Sequence, residues 1–117
     1  MKKFIFYCIV ILTIGLSACS NSVSSENPAW VDNLIGEFKE APLGNPPQSI
    51  WRYTYNGETV YYVPPQCCDQ FSVLYDSDGN TICAPDGGFT GRGDGRCPDF
   101  FSNRIDELLI WRDPREN

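Results

Sequence analysis

From Ile50 to Val63 the chain carries β-branched or aromatic side chains at nearly every position and breaks the run with Asn56-Gly57. That dipeptide is the preferred centre of a two-residue type I′ turn, so residues 50–55 and 58–63 are expected to pair as a hairpin. The turn length fixes the register. Tyr55 faces Glu58, Tyr53 faces Val60 and Trp51 faces Tyr62 on one side of the ribbon; Ile50, Arg52, Thr54, Thr59, Tyr61 and Val63 share the other. A lone hairpin is marginal in water, so the rest of the chain must cover it.

Upstream, Trp30, Leu34 and Phe38 recur every fourth residue with Val31 and Ile35 beside them, which is the stripe of an amphipathic helix. Asn27-Pro28 reads as N-cap and first helical position and Pro42 as the stop, giving a helix over residues 28–40. The face of Trp51, Tyr53, Tyr55, Val60 and Tyr62 is the larger apolar surface, and the helix stripe is expected to cover it. Downstream, Phe71–Tyr75 and Thr81–Ala84 read as a third and fourth strand joined by an Asp76-Ser77-Asp78-Gly79-Asn80 turn. Its letters resemble a calcium loop, but Gly79 is the fourth residue rather than the sixth and the closing Glu is absent, so a hairpin turn is the better account. The last segment fits a helix face through Phe101, Ile105 and Leu108, and also a strand; a strand near 107–112 after a helical turn at 99–103 is expected. The fold class is therefore α+β, one N-terminal helix packed on a four- or five-stranded antiparallel sheet.

The first nineteen residues set the compartment. Lys2 and Lys3 precede an apolar run from Phe4 to Gly15 that closes on Leu16-Ser17-Ala18-Cys19. The run is shorter than the roughly 20 apolar residues of a membrane span and reads as a cleaved export signal. Leu-Ser-Ala-Cys resembles the bacterial lipobox, in which the cysteine thiol receives diacylglycerol and becomes the first mature residue. The expected division is a signal peptide over 1–18, a polar tether over 19–26 and a single domain over 27–117. Removing 18 residues from 117 leaves 99, and losing Lys2 and Lys3 takes the net charge from -6 to −8.

A domain of this size buries only some 60–70% of its unfolded surface, so cross-links matter. Cys67, Cys68, Cys83 and Cys97 supply them in an oxidising envelope, as two disulfides worth on the order of 2–4 kcal/mol each. Bridging the neighbours Cys67 and Cys68 would force a strained peptide, so each is expected to take one of Cys83 and Cys97. The adjacent pair is equally poorly arranged to ligate zinc.

The chemistry available is narrow. The chain has no histidine, which removes Ser-His-Asp and Cys-His nucleophile systems and His-ligated zinc. Its acidic balance, Lys+Arg 9 against Asp+Glu 15, disfavours nucleic acid. No spacing selects a catalytic carboxylate pair, so no enzyme activity and no cofactor are expected. Residues 85–97 hold Gly87, Gly88, Gly91, Gly93 and Gly95 and lack any regular pattern. Asp86, Asp94 and Arg92 in this loop are the candidate binding residues, and Asp86, Asp94 and Asp99 are the carboxylates that could converge on calcium. The Arg92-Gly93-Asp94 triplet also matches an adhesion motif, a three-letter coincidence in a glycine loop.

The run Asn56-Gly57, Val60-Tyr61-Tyr62, Cys67-Cys68-Asp69, Leu74-Tyr75-Asp76, Ile82-Cys83-Ala84-Pro85-Asp86-Gly87-Gly88 and Gly91-Arg92-Gly93-Asp94-Gly95-Arg96-Cys97-Pro98 resembles a family of small, uncharacterised, Bacteroidetes-like bacterial lipoproteins. The resemblance covers roughly residues 28–112 and implies compartment and domain limits, with no assigned activity. In such bacteria an acidic run after the lipidated cysteine accompanies surface display, and Ser20-Asn21-Ser22 departs from it. The expected protein is a lipid-anchored envelope protein on the outer membrane, facing the periplasm. Its expected role is a non-enzymatic binding, structural or inhibitor module with a protein or glycan ligand. The alternative is a calcium-assisted glycan- or protein-binding module using loop 85–97. Cys19→Ser is expected to leave the protein unprocessed or soluble; fractionation that still finds it cleaved and membrane-bound would refute the lipobox.

Overall fold

The hairpin forms with the register that its turn dictates. In the computed structural model, which describes residues 26–116, β1 (Ser49–Tyr55) and β2 (Glu58–Val63) pair antiparallel with Trp51 opposite Tyr62, Tyr53 opposite Val60 and Tyr55 opposite Glu58. Asn56 and Gly57 sit at φ of 50° and 79°, the two left-handed conformations that a type I′ turn needs. The leader and Cys19 lie outside the described residues.

The helix α1 (Ala29–Glu40) starts after Pro28, whose carbonyl accepts the Val31 amide at 3.0 Å. No side chain caps it, so Asn27 is not the cap that the sequence suggested. It stops at Ala41, extended ahead of Pro42 as the residue before a proline prefers. On the far side of the hairpin, β3 (Val73–Tyr75) pairs with β2 and with β4 (Thr81–Cys83), while β5 (Ile105–Arg112) returns beside β1. The sheet order is β4-β3-β2-β1-β5, with the short helix α2 (Phe100–Asn103) leading into β5. The third strand is shorter than expected, because Phe71 leaves it to bridge Gly87. At the opposite edge, Asp106 at φ 58° accompanies register shifts between β1 and β5, a bulge that bends the edge strand and disfavours pairing with another chain.

The helix covers the other face of the hairpin from the one expected. Val31, Ile50, Tyr61 and Val63 form one core, with Trp30, Leu34, Ile35 and Phe38 of α1 packed against it. Tyr53, Val60, Tyr62, Leu74, Cys83, Cys97 and Phe100 form a second core on the opposite face, with Trp51 and Tyr55 packed against it. The reason is polar. Each face carries buried tyrosine, Tyr61 on the first and both Tyr53 and Tyr62 on the second, and the part-buried hydroxyls of Tyr53 and Tyr62 find in the segment after β4 the carboxylates that the apolar stripe of α1 does not carry. Tyr53 donates to Glu107 at 2.7 Å, Tyr55 to Asp99 at 2.6 Å and Tyr62 to Asp86 at 2.8 Å. Phe100 fills the space between these rings, with centroids 5.6, 5.3 and 5.7 Å from Tyr53, Tyr55 and Tyr62.

The chain end locks α1 in place. The Arg115 guanidinium donates to the carbonyls of Phe38 and Ala41 at 3.0 and 2.9 Å, satisfying the end of the helix, and pairs with the buried Asp113 carboxylate at 2.6 Å. Phe100 is fully buried, so Phe100→Ala is expected to destabilise the domain by about 3–5 kcal/mol. The half-exposed Phe101 should cost much less when truncated, and urea unfolding of the two variants checks the contrast.

Candidate functional site

Strand directions divide the molecule into two ends. The Asn56-Gly57 turn, the 76–80 turn and the start of α1 lie together, Trp30 Nε1 donating to the Ser77 carbonyl at 2.8 Å. In the 76–80 turn the Asp76 carboxylate accepts the amides of Asp78 and Asn80 at 2.9 Å each, which holds its pKa below the ordinary carboxylate value. That is the hairpin turn expected of these residues. The loops 64–72 and 84–97 gather at the opposite end.

The glycine-rich loop is ordered by hydrogen bonds rather than by apolar burial. Its base is closed by the Cys83–Cys97 disulfide and by the Asp94 amide on the Ala84 carbonyl at 3.0 Å. Inside it, the Gly93 amide donates to Gly87 and the Gly88 amide to Gln70, both at 3.0 Å. A Cβ on Gly93 would collide with the Ala84 carbonyl, and one on Gly87 with the Gln70 carbonyl; both glycines also have positive φ. Asp86 is the anchor. Its carboxylate accepts the Tyr62 hydroxyl, its amide donates to Ser72 Oγ at 3.1 Å, and its carbonyl accepts the Ser72 amide and hydroxyl at 3.1 and 3.0 Å. Burial, then the bond to Asp86, pushes the Tyr62 hydroxyl pKa far up; burial and the bond to Glu107 push that of Tyr53 to about 12.

The structure thus separates the candidate residues. Asp86 is half-buried and committed to Tyr62 and Ser72. Asp94 pairs with Arg96 at 2.7 Å and accepts its amide at 3.0 Å, the latter being the larger cause of its lowered pKa. Asp99 accepts Tyr55 and Asn103, which lower its pKa in that order. The three carboxylates do not converge, and among the described residues no group of three or more His, Cys, Asp or Glu is placed to hold a metal ion. Arg92 is exposed, and so is Phe89, three positions earlier in the same loop, at 91%.

The cysteine pairing differs from expectation. Cys67 bonds to its neighbour Cys68, and Cys83 to Cys97. Cys83 and Cys97 are both buried against the second core, whereas Cys67 and Cys68 are exposed on the other loop, so the four thiols do not share one place. The adjacent bridge fits a local bend in which Cys68 and Asp69 have φ of 99° and 69°. The Cys67 amide also donates to the Asn45 carbonyl at 2.6 Å, tying this loop to the segment after α1.

Sequence reasoning missed two features at this end. One is the Tyr62–Ser72–Asp86 anchor, for which the sequence held one signal: a tyrosine-lined strand face needs acceptors from elsewhere. The other is a groove of about 180 Å³ between α1 and loop 64–72, open to solvent and rimmed by Gln48, Gln66, Gln70 and Phe71. No local pattern announces it, because its walls come from three separate segments.

Asp86→Ala is expected to destabilise the fold by about 1–3 kcal/mol by leaving the buried Tyr62 hydroxyl without its acceptor, while Asp94→Ala leaves the melting temperature nearly unchanged. A phenol whose folded pKa exceeds its unfolded value contributes stability that is intact below that value and lost as pH rises. Stability should therefore fall between pH 10 and about 12, tyrosinate absorbance from Tyr53 rising only near the upper limit. Tyr53 ionising near pH 10 in the folded protein would contradict the burial and the Glu107 bond.

The family described as Domain of unknown function (DUF6970) matches residues 36–113, from inside α1 to the buried Asp113. No curated protein and no solved structure matches the chain.

Proposed function

This chain belongs to that family of unknown function, and we propose that it is a lipid-tethered, non-enzymatic binding module of the bacterial cell envelope, engaging a protein partner through loop 85–97. Cys19 carries the lipid, and residues 20–26 link it to the start of α1. The loops 64–72 and 84–97 lie at the end of the sheet opposite the start of α1, where the tether joins, and in this reading the domain faces the periplasm from the outer membrane.

The observation that carries the reading is Phe89. A phenylalanine that is 91% exposed forfeits its burial energy, about 1.5–3 kcal/mol for a side chain of this kind, unless something covers it. It stands on a loop whose backbone is already held by hydrogen bonds and a disulfide, so docking on it orders little further chain. An exposed aromatic and an exposed arginine, here Arg92, on one loop are the residue types enriched at protein-interface hot spots. The exposed rings and the absence of histidine favour recognition over catalysis.

A photo-crosslinking residue at position 89 of the full chain, expressed in its own cells, is expected to trap a discrete partner that the same probe at Glu58, at the other end of the sheet, does not. Phe89→Ala should lower the yield of that adduct from a probe at Arg92 at least tenfold without moving the melting temperature. Equal trapping from both ends, or none from position 89, would refute the reading.

A further inference from the structure

We propose that the groove between α1 and loop 64–72 is a binding site for one ring of a neutral sugar, separate from the Phe89 surface. The lining decides the chemical class. Leu34 and Phe38 of α1 and Val63 and Val73 of the sheet form its apolar side, the amides of Gln48, Gln66 and Gln70 its polar side, and no charged residue takes part. In a chain that is 21% charged, a cleft without charge selects a neutral ligand.

An acyl chain or other wholly apolar ligand would cover the three amides without giving them partners, which is unfavourable. Gln48 already has an unmet need: its Oε1 is buried with no hydrogen-bond donor, and the soft torsion of its terminal amide lets that oxygen turn to a donor held in the groove. A peptide strand is disfavoured because β2 and β3, the strands at the groove, are both interior in the order β4-β3-β2-β1-β5 and offer no free backbone edge to extend.

A pyranose meets both halves of the lining. Its C–H face suits a phenyl ring, and Phe71 at the rim keeps 55% of its surface exposed. Its hydroxyls each donate and accept, as does each glutamine amide. The volume, about 180 Å³, is below the roughly 300–1,000 Å³ of sites for drug-sized ligands, and so fits a single ring. The rim is also held in shape. Gln66 lies against Gly44, where any added Cβ would overlap its amide, and the Cys67 amide bond to Asn45 fixes the next residue.

The test is an amide chemical-shift titration of the full chain, disulfides intact, with glucose, galactose, mannose and N-acetylglucosamine, and with a neutral tripeptide and a short fatty acid as comparison probes. At least one sugar is expected to give saturable shifts at Gln66, Gln70 and Phe71, weakened at least tenfold by Gln66→Ala and by Phe71→Ala and unchanged by Phe89→Ala. Gln70→Ala serves if Phe71→Ala does not fold, since the bond from the Gly88 amide is to the Gln70 backbone carbonyl, which the substitution keeps. No saturable shift with any sugar, shifts that survive the groove variants, or a groove response to the tripeptide or fatty acid instead would overturn the assignment. Failure here leaves the Phe89 reading standing, and failure there leaves this one.

Discussion

The β1–β2 hairpin is buried on both faces, and everything else in the domain is arranged to meet what each face requires. The face carrying Ile50, Tyr61 and Val63 needs apolar cover, and α1 provides it. The face carrying Tyr53, Tyr55 and Tyr62 needs apolar cover and also acceptors for the part-buried Tyr53 and Tyr62 hydroxyls, because a buried hydroxyl without a partner costs about 1–3 kcal/mol, while the Tyr55–Asp99 bond lies at the exposed rim. Phe100 supplies the first, and Asp86 and Glu107 supply the second. The path of the chain from β4 through the glycine loop and α2 to β5 follows from those positions. The bulge at Asp106 belongs to the same arrangement, since it lies beside Glu107, which reaches the Tyr53 hydroxyl.

This explains how a glycine-rich loop with almost no apolar content holds a definite shape. Ordering its residues opposes folding by about 1 kcal/mol or more each, and Phe89 contributes no burial in return. The Cys83–Cys97 bridge limits the freedom of the unfolded loop, and the Asp86 anchor and amide bonds of Gly88, Gly93 and Asp94 fix the folded one. Rigid loops on a scaffold that does not itself move are common recognition surfaces. Here two stand side by side, the second carrying the Cys67–Cys68 bridge and tied back to Asn45 by the Cys67 amide, and the Gln70 carbonyl that accepts Gly88 couples them.

The sequence made local features legible and left cross-chain choices open. Hairpin register and the 76–80 turn follow from turn chemistry within a dozen residues, whereas periodicity left the last segment, β5 in the fold, fitting both a helix face and a strand. Which hairpin face α1 covers does not, because hydrophobic area alone favoured the face with Trp51, Tyr53 and Tyr62, and the deciding factor was hydroxyl satisfaction by residues 24 to 54 positions away. The cysteine pairing failed for a related reason. Local geometry argued against joining neighbours, yet burial of Cys83 and Cys97 against the Phe100 core withdrew them from Cys67 and Cys68. Asp86 is a residue of consequence, as its place in the loop suggested, but it acts from within: its carboxylate faces inward to Tyr62 rather than outward to a ligand.

Loop 85–97 is a fixed platform held from within by Asp86. Amide hydrogen exchange of the oxidised protein reads this rigidity residue by residue. The amides of Ser72, Gly88, Gly93 and Asp94, all bonded to backbone carbonyls, are predicted to be protected, with the exposed Phe89 side chain flanked by protected positions. Exchange of Gly88, Gly93 and Asp94 at the rates of an unstructured peptide, while β1 and β2 stay protected, would mean that the loop is not held by these bonds.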